Sequence, residues 1–125
     1  HDLAARTISQ LHIKTPSPQQ IVGLLSGGNQ QKVLVAREIG LNSVLMIFVQ
    51  PTRGLDIGAI SYIHHQILDE RGKGKAILLI SLELSEIMDL ADTIGVIFRG
   101  ELLKIEDASK MTTSEVGRYM MGVKE

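Results

Sequence analysis

A serine and two glycines stand beside a predicted helix in the run Leu25–Val33, which reads LSGGNQQKV. Gly27 and Gly28 carry no side chain, so a ligand can approach their backbone N–H groups, and Ser26 adds a hydroxyl donor. A helix is predicted from Asn29 onward, and its first N–H groups and positive dipole end point back towards the glycines. The run therefore predicts a binding corner for an anion such as phosphate, although serine and glycine are also common at ordinary helix starts.

The same run resembles the signature motif of ABC-type ATPases, and residues 50–56 (QPTRGLD) resemble the segment that follows it in that family. The two motifs have the expected order and spacing. The resemblance continues through Ile77–Ser81 and Asp92–Ile97, so it covers nearly all of the chain. The variants NQQKV and PTRGLD look most like the second ATPase half of fused, two-half importers for simple sugars or nucleosides.

The pattern of apolar residues predicts an α/β fold. Val44–Val49 and Ala76–Ile80 are continuous apolar runs, as expected of strands that are covered on both faces in a parallel sheet. Strands over Thr93–Arg99 and Glu101–Ile105 are predicted to pair through a turn at Gly100-Glu101. Together with the resemblance, this order predicts the C-terminal portion of a P-loop NTPase domain, with a mainly parallel sheet flanked by helices and a final strand pair and helix.

Four helices accompany these strands, besides the helix of the LSGGNQQKV run, which we expect to end near Gly40. They are predicted over Leu3–Leu11, after a cap at Asp56, over Glu83–Leu90, and after a capping box formed by Thr112 and Glu115. The inner stripe of the helix after Asp56 is predicted to consist of Ile57, Ile60, Ile63, Ile67 and Leu68.

The resemblance implies one partial ABC ATPase domain over residues 1–125. Residues 1–40 are expected to be the end of the helical subdomain with the signature helix, and residues 41–125 the core α/β portion. A phosphate loop is absent. The segment most similar to one is Gly72–Ala76, but Asp69 stands where the first glycine of the motif would be, and Ala76 stands where its Ser or Thr would be. We interpret Gly72–Ala76 as a helix stop and a turn before a strand.

Composition excludes several classes of function. The 125 residues can bury one modest core, and a formal charge of −1 gives no excess of basic residues for nucleic acid. The absence of cysteine excludes a disulfide framework and a thiolate metal site. No apolar run approaches the roughly 20 residues that span a bilayer. We therefore expect a cytoplasmic protein, held at the inner face of the cell membrane by permease subunits.

The resemblance also shows which catalytic groups are missing. In active ABC ATPases the strand that matches Val44–Val49 ends in an Asp that serves the metal and is followed by a catalytic Glu, whereas this chain has Val49 and Gln50. An isopropyl group cannot replace a carboxylate, and an amide cannot accept a proton from water. The family's switch His is replaced by Leu82. These three replacements predict a degenerate site without catalytic residues or metal ligands. Read structurally, Val49 continues a strand, Gln50 caps its end and Leu82 packs at a helix start.

In this family two ATPase halves meet head to tail, so the signature of one half contacts ATP held by the other. The resemblance implies that Ser26, Gly27, Gly28 and Asn29 bind the γ-phosphate of ATP held opposite. It also implies that Asp56 lies at the dimer interface. Arg53 either pairs with a partner's carboxylate across this interface or makes only a surface pair. ATP and Mg²⁺ are expected in the full assembly and none on this chain alone.

Some side chains have a simpler structural interpretation. His64 and His65 are neighbours on a helix and face different ways, which is poor metal geometry. Glu83, Glu86 and Asp89 form an acidic face that is either solvated or in contact with a helix of a membrane subunit. The remaining candidates for core or interface packing are Met111, Met120 and Met121.

These observations predict part of the ATP-binding subunit of an ABC importer for nucleosides or simple sugars, inactive by itself. Its expected partners are a second ATPase half, in the same or a separate chain, and membrane permease subunits. Two alternatives stay open: an active ATPase half in which Gln50 suffices, and a non-transport module that uses the fold for regulation or dimerisation. Because its predicted strands lack neighbours, we expect the chain alone to self-associate.

Overall fold

The computed structural model describes residues 2–124, which form five helices and four strands. In chain order these are α1 (Asp2–Gln10), α2 (Gly27–Gly40), β1 (Leu45–Val49), α3 (Ile57–Gly72), β2 (Ala76–Ile80), α4 (Leu84–Leu90), β3 (Thr93–Phe98), β4 (Glu101–Asp107) and α5 (Thr113–Met120). Short 3₁₀ turns cover Val22–Leu24 and Ala108–Lys110. The predicted α/β fold class is confirmed.

The chain forms two compact units, one up to Leu78 and the other from Leu79 onward. In the first unit α2 packs against α3, and β1 pairs with β2 in a parallel two-stranded sheet. The pair begins where the backbone N–H of Ala76 donates to the carbonyl of Val44 at 2.9 Å. The buried apolar side chains of this unit are Ile13, Val35, Met46, Phe48, Ala59, Ile63 and Ile67.

The expectation that both strands of this pair are covered on both faces is wrong for the described chain. Met46 and Phe48 of β1 are buried, whereas Leu45, Ile47 and Val49 on the opposite face are exposed. Alternate side chains of a strand point to opposite faces, so one whole face of β1 is open. An uninterrupted apolar run cannot distinguish these cases, because its composition is the same on both faces.

The first unit also corrects the predicted stripe of α3. Ile63 is fully buried and Ile67 is nearly so, as expected of residues one helical turn apart. Ile57 is 86% exposed, because its offset of six positions from Ile63 places it about 120° around the helix from that buried residue.

The second unit is built on an antiparallel pair of β3 and β4, with Thr93 opposite Asp107 and Phe98 opposite Glu101. The turn lies at Arg99-Gly100 and not at Gly100-Glu101. Arg99 and Gly100 have φ values of 46° and 81°, as a two-residue hairpin turn of type I′ requires at both central positions. A register shift between Val96 and Ile97 marks an irregularity in the pair.

The core of this unit lies between β3, α4 and α5 and contains Ile94, Val96, Met111 and Val116. The predicted capping box at the start of α5 is confirmed, because Thr112 and Glu115 each accept the other's backbone N–H.

The side chains with simpler interpretations divide between core and surface. Met111 is buried and Met120 packs against the core, whereas Met121 is exposed. Glu86 of the predicted acidic face is only 3% exposed, so the interpretation of that whole face as solvated is wrong. It sits on the side of the short helix α4 that also buries Leu90, one turn later.

Within residues 2–124 no helix combines the length and the apolar character needed to cross a bilayer.

A buried carboxylate holds the turn between α3 and β2. Glu70 is buried, and its carboxylate accepts a hydrogen bond from Lys73 at 2.9 Å and pairs with Lys75. Burial by itself raises the pKa of Glu70, but the hydrogen bonds and charges of Lys75 and Lys73 together lower it below its ordinary value. Gly72–Ala76 is thus a helix stop and turn, as predicted, with Gly74 at φ 86°.

We expect Glu70→Gln to destabilise this unit by about 1–3 kcal/mol at pH 7, because the negative charge that pairs with Lys73 and Lys75 is lost and glutamine keeps only one acceptor oxygen. The lowered pKa makes this stabilisation fully present above the unfolded pKa of about 4.3, and it is lost as the pH falls through the folded value. Chemical denaturation from pH 7 to pH 3 measures the difference between the two proteins. A difference in stability that stays constant over this range contradicts the assignment. Lys73→Gln, at an exposed side chain, is the control, and we expect it to lose less stability than Glu70→Gln.

Candidate functional site

The residues predicted to bind an anion lie at the N-terminus of α2. The helix begins at Gly27, two residues before the start predicted at Asn29, with Ser26 as its N-cap in an extended conformation. Both glycines therefore lie in the first turn of α2 and not in the loop before it. The correction reflects the strength of the serine cap, which outweighs the low helix propensity of glycine in the first turn.

The Ser26 hydroxyl and the Asn29 amide are bonded to each other. Ser26 Oγ accepts from the backbone N–H of Asn29 at 3.4 Å and from its side-chain Nδ2 at 2.8 Å. The amide oxygen of Asn29 accepts the backbone N–H of Lys14 at 2.9 Å. Asn29 thus ties the serine to the segment before the helix, a role that the sequence did not indicate.

The two glycines face the start of α3. A Cβ on Gly28 would lie 3.2 Å from the Cβ of Ala59, and a Cβ on Gly27 would lie 4.0 Å from Cδ2 of Leu55. The first contact is tighter than ordinary van der Waals distance. Gly28 therefore allows α2 and α3 to approach closely.

The segment between β1 and α3 is a loop of reversed backbone conformations. Gln50 has φ 49° and Gly54 has φ 73°, so the chain turns sharply after β1 and again before α3. Asp56 is the N-cap of α3, and its Oδ1 accepts the backbone N–H of Ala59 at 2.9 Å. The predicted cap is confirmed, while Arg53 is exposed in the loop.

The end of β1 contains no carboxylate. Val49 is the last residue of the strand and is 62% exposed, and Gln50 follows it. Leu82 belongs to the second unit and is 72% exposed, so the interpretation that it packs at a helix start is wrong. A valine and a glutamine can neither coordinate a divalent cation as a carboxylate does nor take a proton from water.

The histidines of α3 are placed as ordinary helix side chains. His65 Nδ1 lies 2.8 Å from the carbonyl oxygen of Ser61, one turn earlier on the helix. Among residues 2–124 no three His, Asp or Glu side chains form a group that could hold a metal ion.

Several proteins are similar to this chain over most of its length. The guanosine import ATP-binding protein NupO of Bacillus subtilis is 44% identical over 119 residues, which is 95% of this chain and 23% of that protein. The nucleoside import ATP-binding protein NupA of Lactococcus lactis is 51% identical over 78% of this chain and 19% of that protein. The ribose import ATP-binding protein RbsA of Hahella chejuensis is 37% identical over 94% of this chain and 24% of that protein. The chain thus spans about a quarter or less of the length of the curated relatives it matches.

Solved structures show the same fold at low sequence identity. A dimeric ATP-binding cassette in a post-hydrolysis state, bound to ADP and Pi, has a TM-score of 0.73 and 21% identity over 86% of this chain and 46% of that chain. Another ATP-binding cassette of an ABC transporter has a TM-score of 0.74 and 19% identity over 99% of this chain and 49% of that chain. No protein-family model matches the chain.

The packing of α2 on α3 predicts different tolerance at the two glycines. Alanine is the better helix former at both positions. Gly28→Ala would press its methyl group against the rigidly held Cβ of Ala59, whereas Gly27→Ala meets ordinary contact distance. We expect Gly28→Ala to be less stable than Gly27→Ala by about 1–3 kcal/mol in chemical denaturation of the purified protein. Equal stability of the two variants would contradict the close approach.

Proposed function

The chain is a homologue of the ATP-binding proteins of ABC importers for nucleosides and sugars, and on this premise we propose its function. It acts as part of such an ATP-binding subunit and lends its signature corner, Ser26 to Asn29, to ATP that a second ATPase half holds. Its own site, at the end of β1, is degenerate. The import of nucleosides or simple sugars is inferred from the activities for which the relatives are named.

The hydrogen bonds of Ser26 carry this proposal. A serine hydroxyl offers one donor and two acceptor lone pairs. Both lone pairs of Ser26 Oγ face N–H groups of Asn29, one from its backbone and one from its side chain. The hydroxyl hydrogen therefore points away from Asn29. Ser26 is exposed, so this donor is available to an anion from outside the chain.

Backbone groups complete the corner. The first N–H groups of a helix have no acceptor within the helix. Of these, the N–H of Asn29 goes to Ser26 Oγ. The regular helix bonds begin with the N–H of Gln30, which donates to the Ser26 carbonyl at 2.9 Å. The N–H groups of Gly27 and Gly28 remain at the positive end of the helix dipole. Together with the hydroxyl they form a set of donors that suits a terminal phosphate.

The chain's own residues do not fit Mg²⁺ at the end of β1. Hard divalent cations take oxygen ligands, foremost carboxylates, and Val49 and Gln50 provide only one neutral amide. ATP and Mg²⁺ therefore belong to the complete assembly, where the second half supplies the metal-binding carboxylate. The chain by itself neither holds nor hydrolyses nucleotide in this account.

The loop after β1 faces the second half across the dimer interface. Asp56 uses Oδ1 as the cap of α3, and its other carboxylate oxygen can accept a donor from the partner. Arg53, exposed in the same loop, is placed to pair with a partner carboxylate. Permease subunits hold the assembled halves at the cytoplasmic face of the membrane. The domain boundaries of the sequence prediction, residues 1–40 and 41–125, are retained as part of this proposal.

Substitutions at Ser26 separate phosphate binding from helix capping. Aspartate and asparagine are as good N-caps as serine, so Ser26→Asp and Ser26→Asn preserve α2. Aspartate has no donor and repels phosphate, whereas asparagine keeps an N–H donor without charge. In the full transporter we expect ATP turnover to fall about 100-fold or more with Ser26→Asp and clearly less with Ser26→Asn. Wild-type turnover with Ser26→Asp would refute the proposed role.

The degenerate site is tested by inactivating the other half. With the catalytic carboxylate of that half removed, we expect no Mg²⁺-dependent ATP turnover above the background of the assay, because this chain has no residue to activate water. Turnover that persists would favour the active-ATPase alternative. Co-purification with permease subunits distinguishes the importer from a non-transport module, for which no such partner is expected.

A further inference from the structure

We propose that Gln31 is a positioning residue that couples the signature corner to the loop after β1, residues 50–56. The inference rests on the proposed function and extends it. It assigns a physical connection between the corner that serves the partner's ATP and the end of β1, where the chain's own site is degenerate.

A single hydrogen bond makes this connection. The side-chain Nε2 of Gln31 donates to the carbonyl oxygen of Pro51 at 2.6 Å, in a partly buried position. The two residues are 20 positions apart in sequence and belong to different elements, α2 and the loop. Pro51 is itself buried, as is Thr52 beside it. A short, partly buried bond of this kind restrains both groups that it joins.

The polar residues near Gln31 in α2 form hydrogen bonds with residues that precede the helix in sequence. Asn29 accepts from Lys14, Gln30 donates to Leu25 at 2.8 Å, and Lys32 donates to His12 at 3.3 Å. These three side chains hold the segment that precedes the helix. Gln31, within the same NQQK run, reaches forward to the loop instead.

The loop has backbone hydrogen bonds of its own, and Gln31 adds one from outside it. Within it, the backbone N–H of Arg53 donates to the Gln50 carbonyl at 3.3 Å, and the backbone N–H of Leu55 donates to the Thr52 carbonyl at 3.2 Å. The left-handed backbone of Gln50 directly precedes Pro51. The bond from Gln31 adds a restraint from α2 at Pro51, between the end of β1 and residues 53–56.

The same bond connects the loop to the start of α2, which carries the hydrogen-bond donors proposed to contact phosphate. Residues four apart lie on one face of a helix, so Gln31 stands directly after Gly27 along α2. A displacement of Pro51 is therefore transmitted through Gln31 to α2, and a displacement of α2 is transmitted to Pro51. Docking of a partner against residues 53–56 would thus be transmitted to the corner that contacts its ATP.

Three variants at Gln31 test this coupling in the full transporter. Gln31→Glu keeps the shape but replaces the N–H donor by a carboxylate that repels the Pro51 carbonyl, and Gln31→Met removes the polar group. Gln31→Lys restores N–H donors on a long side chain. Gln30→Met is the matched control, since it removes a bond of the same kind from the adjacent residue without touching the loop. The measurements are hydrogen exchange at the backbone amides of residues 52–56, and kcat and KM for ATP.

We expect exchange in the loop to accelerate about three- to tenfold with Gln31→Met, and further with Gln31→Glu, as the loss of one hydrogen bond predicts. We expect kcat to fall in the same order, with an unchanged KM for ATP. Gln31→Lys recovers both the exchange rate and kcat. Gln30→Met leaves exchange in the loop at the wild-type rate. Wild-type exchange in both Gln31→Met and Gln31→Glu overturns the inference. So does equal acceleration by Gln30→Met, which would show a general loosening of α2.

Failure of the coupling is distinguishable from failure of the proposed function. If Ser26→Asp abolishes turnover while the Gln31 variants leave loop exchange unchanged, only the coupling is wrong. If Ser26→Asp has no effect on turnover, the signature role itself is wrong, whatever the exchange rates show.

Discussion

The cap of α2 is the interaction on which the account of this chain depends. Ser26 Oγ receives two N–H groups of Asn29, so its hydroxyl hydrogen is directed away from Asn29. The same two bonds set where the helix begins, and hence place Gly27 and Gly28 in its first turn. One local arrangement thus defines the geometry of three donors that can meet a phosphate.

The surrounding structure serves to hold that cap. Lys14 fixes the amide of Asn29 from one side, and the close approach of Gly28 to Ala59 fixes α2 against α3 from the other. The loop between β1 and α3 carries the second cap of this unit, in which Asp56 holds the start of α3. The end of β1 offers Val49 and Gln50 rather than carboxylates, and under the proposed function the donors at the start of α2 meet a nucleotide that the second half holds.

Local patterns in the sequence were sufficient where a structure depends on neighbouring residues. The caps at Asp56 and Thr112 are set by side chains three residues from their backbone partners, and both predictions are confirmed. The ABC-type fold is confirmed as well. It could be predicted because the order of the motifs and the pattern of the strands are properties of the sequence. The start of α2 and the hairpin turn were misplaced by one or two residues, because glycine tolerates several backbone conformations.

Features that depend on distant residues were not predictable from the sequence. The open face of β1 depends on which elements lie beside it, and an apolar run carries no such information. Glu86 is buried although its type and spacing suggest a solvated face, and Gln31 contacts a residue 20 positions away. Gln31 reads as one more polar residue on a helix, and only its bond to Pro51 indicates a role.

A structure of the assembled transporter with a non-hydrolysable ATP analogue tests the central claim most directly. The decisive quantity is the distance between Ser26 Oγ and the nearest oxygen of the γ-phosphate on the partner half. This account predicts a direct hydrogen bond of about 2.5–3.0 Å, with the N–H groups of Gly27 and Gly28 aimed at the same phosphate. A nucleotide whose phosphates lie beyond contact distance of Ser26 in the closed assembly would contradict it.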